Sequence, residues 1–196
     1  MLTAKHNLRG FSLIELLVGI MILAVLAGVG APSFLTWLQN SQLSAAAESI
    51  SSGLQLARAE AVRRNSNVRF QLTDNLNAGC ALSLTGNNWV ISMDDATGLC
   101  DNAPTADTVP VAPRIIQKHT GAEGTPNVTI NSDASVVIFN GLGRASNAMT
   151  VQVTNPTGGD CRAAGGLMRC LNITVVTGGQ TKMCNPALPG TNPQGC

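Results

Sequence analysis

The chain has 196 residues, of which 44% are apolar and 12% are charged. This composition is sufficient for one packed domain and excludes intrinsic disorder along the whole chain. Lysine and arginine number 12 against 11 acidic residues, so no strong net charge draws the chain to nucleic acid or to an acidic membrane surface. Aromatic residues make up 3%, which argues against aromatic platforms for base stacking.

The first predicted element is an apolar helix near the N-terminus. Residues 11–31 contain one charged side chain, Glu15, and follow the basic residues Lys5 and Arg9. As a helix, this segment spans about 32 Å, which matches a bilayer core of roughly 30 Å. The basic flank predicts a cytoplasmic N-terminus and a C-terminal domain across the membrane. A cleaved secretory signal is the alternative, but its apolar region would be shorter.

Glu15 is the unusual residue of this segment, because an unpaired acid inside a membrane costs on the order of 2–3 kcal/mol or more. Residues 9–15 resemble the prepilin leader of type IV pilins and type II secretion pseudopilins, with the sequence Arg-Gly-Phe-Ser-Leu-Ile-Glu. The resemblance implies that a prepilin peptidase removes residues 1–10 by cutting between Gly10 and Phe11, and then methylates Phe11. The amine freed by the cut would neutralise Glu15, which in this family guides the subunit into the filament.

The second predicted element is an amphipathic helix over residues 32–65. Pro32 predicts a kink at its start, because proline removes a helical hydrogen bond. The alternative is that the membrane helix ends at Pro32. Beyond it, apolar side chains recur at intervals of three and four residues, which is the periodicity of one helical face. These side chains are Leu43, Ala47, Ile50, Leu54, Ala57 and Ala61.

From residue 66 the pattern changes from helical to alternating, which predicts a β-rich domain over residues 66–196. The first strand contains Val68, Phe70 and Leu72 on one face. Further strands are predicted at 89–93, 114–118, 127–131, 136–140, 149–154, 168–177 and 180–184. A long loop is expected between Asp94 and Pro113, and Gly178-Gly179 predicts a tight hairpin turn of the primed type. The predicted fold class is α+β, with a long N-terminal helix packed on a mainly antiparallel sheet or small sandwich.

Two further stretches resemble the minor pilins and pseudopilins of the FimT, FimU and GspH group. Residues 139–145 read Phe-Asn-Gly-Leu-Gly-Arg-Ala and are similar to a strand and turn motif of this group. Residues 182–186 read Lys-Met-Cys-Asn-Pro and are similar to the terminal motif of FimU-like minor pilins. The chain is therefore identified as a member of this group that is most like FimU, and the resemblance implies the pilin fold.

For function, the resemblance implies a minor type IV pilin that primes or caps pilus assembly and links the tip complex to the shaft. The expected partners are other major and minor pilins through the N-terminal helix, prepilin peptidase and the bacterial inner membrane. The expected location is a single pass through that membrane with a periplasmic domain, followed by the pilus on the cell surface. A GspH-like pseudopilin of type II secretion is an alternative, because it shares the same assembly chemistry.

A DNA-binding minor pilin for natural transformation is the other alternative. FimT-like receptors carry a Gly-Arg-x-Arg motif near the C-terminus, whose arginines contact phosphate. The corresponding residues 178–182 read Gly-Gly-Gln-Thr-Lys, so both arginines are missing. Arg162 and Lys182 remain as candidates for a weak DNA contact, together with Arg144 and Arg169.

The six cysteines include no Cys-x-x-Cys pair, which favours disulfides made in an oxidising compartment over a zinc site. Six cysteines allow 15 connectivities. Our hypothesis is three bridges between neighbours in the sequence, the first closing a long loop and the last holding the C-terminal tail. They join Cys80 to Cys100, Cys161 to Cys170 and Cys184 to Cys196.

No pattern of residues points to catalysis, a cofactor or a metal. His119 is the histidine that remains after processing, and its strand-like surroundings predict a surface residue rather than a member of a triad. Residues 141–143, Gly-Leu-Gly, lack the third glycine and the following helix of a dinucleotide fingerprint. The acidic residues of the long loop lack the spacing of a calcium-binding loop. These are Asp94, Asp95, Asp101 and Asp107.

Four arginines cluster where the second helix meets the first strand. They are Arg58, Arg63, Arg64 and Arg69. Positive charge near a helix C-terminus stabilises the helix by a few tenths to about 1 kcal/mol. This favours a structural role for the cluster, with a subunit or DNA contact as the alternative.

Overall fold

The computed structural model describes residues 11–104, 111–121 and 123–196, with the side chains of residues 29–32 excepted. Within these ranges the chain forms one long α-helix followed by eight β-strands in two sheets. The chain divides into two compact units, one ending at Trp37 and the other comprising Leu38–Cys196. The α+β class predicted from the sequence is confirmed.

The helix, α1, comprises Leu13–Arg64. It ends because Asn65 adopts a left-handed conformation with φ of 48°, which turns the chain out of the helical path. The amide of Ser66 then donates to the carbonyl of Ala61 at 3.2 Å and satisfies a group that the helix end would leave unpaired. The predicted end of the helix near residue 65 is therefore correct.

The strands form two four-stranded antiparallel sheets. The strands are β1 (Val68–Thr73), β2 (Asn88–Ser92), β3 (Ile115–His119), β4 (Thr129–Ser132), β5 (Val136–Phe139), β6 (Met149–Thr154), β7 (Leu171–Val175) and β8 (Thr181–Cys184). The first sheet has the order β3-β2-β1-β5 and the second has the order β4-β6-β7-β8. The short connection between β4 and β5 carries the chain from the second sheet to the first.

All eight predicted strands are present, but two details of the β7–β8 hairpin differ from prediction. β7 starts at Leu171 rather than residue 168, because Met168 pairs with the preceding loop at Cys161 instead of with β6. The turn is not of the primed type, since Gly179 has a positive φ of 80° and Gly178 does not. Val176 and Gln180 close the ladder around a three-residue loop, in which a left-handed glycine follows an ordinary turn.

One face of α1 forms the centre of the main core. The six apolar residues predicted to share that face are all at most 2% exposed. They pack against the inner faces of both sheets, where the largest side chains include Phe70, Phe139 and Met149. The amphipathic character predicted for the second half of the helix therefore determines how the domain is assembled.

A second, smaller cluster covers the other face of the first sheet. Val90 and Ile115 pack there against Ala96 and the cysteines of the first disulfide. Gln71 fixes this loop, because its Oε1 accepts hydrogen bonds from Ser92 Oγ and Ala96 N, each at 3.1 Å. The long loop predicted after β2 thus closes back on the sheet, with residues 105–110 outside the described part.

The structure contains three disulfides, and their pairing is the one predicted from the spacing. All described cysteines are paired. The first bridge closes the loop over the first sheet, the second closes the loop before β7, and the third holds the C-terminal segment beside β8. They are Cys80–Cys100, Cys161–Cys170 and Cys184–Cys196.

Candidate functional site

The predicted processing site lies at the edge of the described chain. Gly10 falls outside the described residues, so the bond between Gly10 and Phe11 has no described geometry. Phe11 is described, and its side chain is exposed. Glu15 follows in the first turn of α1.

Ser12 and Glu15 form a capping box at the start of α1. The amide of Glu15 donates to Ser12 Oγ at 3.3 Å, and the amide of Ser12 donates to Glu15 Oε2 at 3.1 Å. The Ser12 hydroxyl also donates to Glu15 Oε2, at 3.2 Å. This reciprocal arrangement satisfies amides that a helix start leaves unpaired. The Ser-x-x-Glu spacing is the sequence signal for this capping box, which gives Glu15 a partner besides the amine of Phe11 that the resemblance implies.

The first half of α1 is apolar on all sides. Its large apolar side chains from Leu13 to Leu26 are each between 50% and 80% exposed. A helix of this kind needs lipid or other protein around it, since water would leave the whole surface unfavourably solvated. The sequence signal for this segment is an apolar run with one acid, and from that signal a membrane segment is predicted.

No single helix in the described chain is long and apolar enough to cross a membrane. Two segments of α1, Leu13–Gly28 and Ser33–Arg64, are separated by a bend. Only when they are taken together are they long and apolar enough for a membrane span. The side chain of Pro32 is outside the described part, so its role in a kink stays a prediction.

The arginine cluster at the end of α1 is largely engaged within the domain. Arg63 Nη2 lies 2.8 Å from Glu60 Oε2, and Arg64 Nε lies 2.7 Å from the same oxygen. The hydrogen bond from Arg63 is the main reason why the pKa of Glu60 is lowered. Arg58 Nε donates to the carbonyl of Gly143 at 3.1 Å, which joins the helix to the turn after β5. These contacts support the structural role predicted for the cluster.

A groove of about 900 Å³ lies between α1 and the start of β8. On the helix side its wall contains the aliphatic side chains of Ala59 and Val62 and the cations Arg58 and Arg63. On the sheet side it contains residues 179–182, which end at Lys182. This groove brings Lys182 of β8 close to two cationic side chains of α1, Arg58 and Arg63, that lie far earlier in the sequence.

The two candidate DNA contacts lie in different parts of the domain. Arg162 belongs to the short 3₁₀ segment before β7, and its Nε donates to the carbonyl of Leu167 at 3.3 Å. Lys182 lies on β8, and its Nζ donates to the carbonyl of Gly195 at 2.8 Å. Each cation therefore donates to a backbone carbonyl near it. Their contact with DNA stays a prediction.

The acidic loop residues also make internal contacts. Asp94 lies 2.7 Å from Arg114 Nη2, and the hydrogen bond from that side chain is the main cause of the lowered pKa of Asp94. Asp95 Oδ1 accepts hydrogen bonds from Thr97 and Gln71, and those from Thr97 contribute most to the lowered pKa of Asp95. Asp107 is outside the described chain. Among the described residues, no group of three or more metal-ligating side chains is found.

His119 lies in a strand, as predicted, but it is half-buried rather than a surface residue. Its ring stacks on Trp89 with centroids 5.4 Å apart, at the end of β3. Trp89 Nε1 in turn donates to Ser49 Oγ on α1 at 3.1 Å. The ring of His119 therefore contributes to packing between the sheet and the helix.

Comparison with known families identifies the chain. Residues 46–179 match the family described as Type II transport protein GspH, which covers more than half of the chain. The chain belongs to the GspH family. Residues 5–31 also match the prokaryotic N-terminal methylation motif, which includes the predicted cleavage site and Glu15. The chain is therefore of the minor pilin and pseudopilin type, a structural family.

A solved structure with a TM-score above 0.5 supports the pilin fold of this GspH-family chain. A crystal structure of the Pseudomonas aeruginosa (strain PAO1) type IV minor pilin FimU is 18% identical with a TM-score of 0.51, and the match covers 82% of this chain and 98% of FimU. A second crystal form of FimU is 16% identical with a TM-score of 0.47, covering 78% and 98%. No curated protein sequence matches the chain.

Proposed function

We propose that this chain is a minor subunit of a type IV pilus that primes or caps assembly and links the tip complex to the shaft. In this proposal, prepilin peptidase cuts between Gly10 and Phe11 and methylates Phe11. Residues 11–31 then hold the subunit in the bacterial inner membrane, and the domain from residue 32 lies in the periplasm until the subunit enters the pilus.

The observation that carries the proposal is the placement of Glu15. It lies in the first turn of α1, whose other large side chains as far as Leu26 are apolar and exposed, within the part that matches the methylation motif. A lone carboxylate in lipid needs a partner. Ser12 supplies hydrogen bonds from its own subunit, while an amine at Phe11 of a neighbour would supply a charge and so favour the stacking of subunits.

The test is to replace Glu15 or Gly10 and to measure pili on the cell surface. Glu15→Ala is expected to reduce piliation and twitching motility, because the subunit loses the charge that attracts the neighbouring amine. Gly10→Ala is expected to reduce both by slowing cleavage, and mass spectrometry should then find a chain that retains the leader.

Glu48→Ala is the matched control, since Glu48 is an exposed acid on the same helix and belongs to the other compact unit. It should leave piliation unchanged. Undiminished twitching and pilus yield in the Glu15 and Gly10 variants would contradict the proposal, and so would a native protein that still begins at Met1.

A type II secretion pseudopilin is the second candidate, favoured by the description of the matched family as a type II transport protein. The two candidates share processing and helix packing and differ in the machine served. Genes for secretion components beside this one, and a secretion defect without loss of pili after its deletion, would favour the pseudopilin.

The alternative of DNA uptake receives less support, because residues 178–182 lack both arginines of the FimT-like motif and because Arg162 and Lys182 each donate to a backbone carbonyl. A gel shift at low salt is the test of this alternative. Micromolar binding that weakens when Arg162 and Lys182 are replaced would favour a DNA receptor over the pilus subunit proposed above.

A further inference from the structure

Two aromatic rings lie side by side on the exposed surface of α1, shortly after Pro32. Phe34 and Trp37 are 60% and 64% exposed, and their ring centroids lie 5.9 Å apart. Their spacing of three residues puts both side chains on one face of the helix. Both belong to the compact unit that ends at Trp37, and we call them the aromatic pair. Their exposure contrasts with the aromatic side chains of the other unit, which are buried, namely Phe70, Trp89 and Phe139.

The position of the aromatic pair along α1 matches one boundary of a bilayer. A helix rises about 1.5 Å per residue, so Phe34 lies about 32 Å and Trp37 about 36 Å along the helix from its first residue, Leu13. The hydrocarbon core of a bilayer is about 30 Å thick, and the whole bilayer with its headgroup layers is about 40–45 Å thick. With Leu13 at one edge of the core, both rings therefore reach the headgroup layer of the opposite side.

The sequence offers no charged side chain to hold this end of the helix at a membrane surface. Residues 16–47 contain no Asp, Glu, Lys, Arg or His. The side chains that fix the depth of a membrane helix are those of lysine, arginine, tryptophan and tyrosine. Lys5 and Arg9 lie before the other end of the apolar segment. On the far side, Trp37 is the one side chain of these four types before Glu48.

The chemistry of Trp37 suits the headgroup layer. Its ring is largely apolar, while its indole N–H is a hydrogen-bond donor that the carbonyl and phosphate oxygens of lipids can accept. Phe34 adds a second apolar ring beside it. A polar run over residues 39–42, Gln-Asn-Ser-Gln, follows after Leu38. The order along the chain is therefore apolar, aromatic and then polar, which is the order of the layers from the centre of a bilayer to water.

We propose that the aromatic pair binds the lipid headgroup layer on the periplasmic side of the inner membrane and sets the depth of α1 in the bilayer. This inference rests on the membrane placement of residues 11–31 in the proposed function. Lipid fits better than a neighbouring subunit, because the pair ends an exposed apolar segment whose length is that of a bilayer. Packing against a neighbouring helix sets no such length.

The experiment measures the depth of Trp37 by fluorescence quenching. The full chain is reconstituted in vesicles of phosphatidylethanolamine and phosphatidylglycerol, with lipids brominated either near the headgroup end or near the methyl end of their acyl chains. Trp89 is buried, so the difference between the wild type and Trp37→Leu isolates the signal of Trp37. We expect bromine near the headgroup end to quench this signal about twofold more than bromine near the methyl end.

Leu23→Trp is the matched control for depth, since Leu23 is exposed and lies about 15 Å along the helix from Leu13, at the middle of the core. The tryptophan that it introduces should be quenched more by bromine near the methyl end.

The anchoring role is tested by adding Phe34→Leu and Trp37→Leu to the Leu23→Trp chain. The preference of the introduced tryptophan for methyl-end bromine should then fall by about half, because the depth of the helix is no longer fixed. Leu35→Ala is the control for this step and should leave the preference unchanged, since Leu35 is an exposed apolar neighbour without a ring.

The outcomes separate this inference from the proposed function. If neither lipid quenches the tryptophan introduced by Leu23→Trp, the membrane placement of residues 11–31 is wrong and both fail. If that tryptophan is quenched from the methyl end but Trp37 is not quenched mainly from the headgroup end, this inference alone is wrong.

Two further results would overturn the inference. One is an unchanged preference after Phe34→Leu and Trp37→Leu, or an equal change after Leu35→Ala. The other is lipid quenching of Trp37 that disappears as more protein is added per lipid, which would assign the aromatic pair to a contact with a second copy of this chain.

Discussion

Gly53 shows how a single residue determines the distance between α1 and the first sheet. A Cβ at this position would lie 2.9 Å from Phe70 Cε2 and 3.2 Å from the ring of Trp89. Both rings are buried in the main core, so neither can move away without disturbing its own neighbours. The sequence shows Gly53 as an ordinary interruption of a helical pattern, because the close approach depends on residues from two later strands.

Replacing Gly53 by alanine therefore compares two opposing effects on stability, the gain in helix propensity and the cost of overpacking the core. Alanine is favoured over glycine in a helix by about 1 kcal/mol, but overpacking a core costs typically 1–3 kcal/mol. We expect Gly53→Ala to lower the melting temperature measured by circular dichroism. Ser52→Ala, next to it on the exposed side, should have no such effect. A Gly53→Ala variant with a higher melting temperature than the wild type would show that the rings of Phe70 and Trp89 move aside at little cost.

The ion pair between Asp94 and Arg114 makes the stability of the β2–β3 loop depend on pH. The pKa of Asp94 is lowered in the folded state, chiefly by the side-chain hydrogen bond from Arg114. A lowered pKa contributes stability above the unfolded pKa of about 3.9, and this contribution is lost as the pH falls through the folded pKa.

We therefore expect Asp94→Asn to be less stable than the wild type at pH 6, with a difference that narrows below about pH 4. Urea unfolding at several pH values measures this difference. A gap that stays constant down to pH 2 would mean that the effect of the substitution does not come from the charge.

The sequence predicted residues best where a local pattern carries the information. The cysteine pairing follows from proximity along the chain, and the buried face of α1 follows from its periodicity. The exposure of Leu142 in the turn after β5 could not be predicted in this way, because it depends on how Arg58 and Gly179 hold the turn from other elements. The capping by Ser12 can be predicted from its spacing to Glu15, because a Ser-x-x-Glu sequence before an apolar run is a local signal.

Among the elements, the C-terminal segment after β8 depends on its disulfide more than the strands do. Two of the hydrogen bonds that hold it run from the amide of Asn185 to the carbonyl of Gln194, at 2.7 Å, and from Lys182 Nζ to the carbonyl of Gly195, at 2.8 Å. The bridge Cys184–Cys196 closes a loop with a sequence separation of 12 residues. In the chain-entropy account, such a bridge contributes about 2–3 kcal/mol.

The double variant Cys184→Ser, Cys196→Ser should therefore lower the melting temperature and expose this segment to protease. The double variant Cys161→Ser, Cys170→Ser is the control, and its tail should stay resistant. Limited proteolysis followed by mass spectrometry locates the cut. Equal protection of residues 185–196 in both variants would show that the hydrogen bonds alone hold the segment.

The presence of each strand was easier to predict from the sequence than its first and last residues. Alternation located all eight strands of the described chain, since one face of each sheet meets the core. It could not locate the start of β7, because Met168 remains fully buried although it belongs to the loop before that strand. In most strands the buried residues also belong to the paired segment. The alternation of apolar and polar residues, however, indicates only which residues are buried and not which are paired.

At the scale of the whole molecule, the buried core of the described chain begins at Leu43, within the second compact unit. A chain that begins at Leu38 would keep all of this core and lose the exposed apolar half of α1. We expect it to be monomeric in water without detergent and to melt within a few degrees of the full chain. Aggregation, or loss of the near-ultraviolet signal of Trp89, would show that the first unit is needed for folding.

The family and the fold could be predicted from the leader, the apolar run and the strand pattern, because each of these signals lies within a short continuous stretch of the sequence. The division of the strands into two sheets could not, since antiparallel alternation is the same whether strands join one sheet or two.

The pairing of consecutive cysteines bears on how the disulfides form during biogenesis. Every bridge joins a cysteine to the next one along the chain. During export, an oxidase that links each cysteine to the following one as they emerge would produce the native connectivity without reshuffling. A host that lacks a disulfide isomerase but keeps its oxidase should therefore secrete this domain correctly bridged.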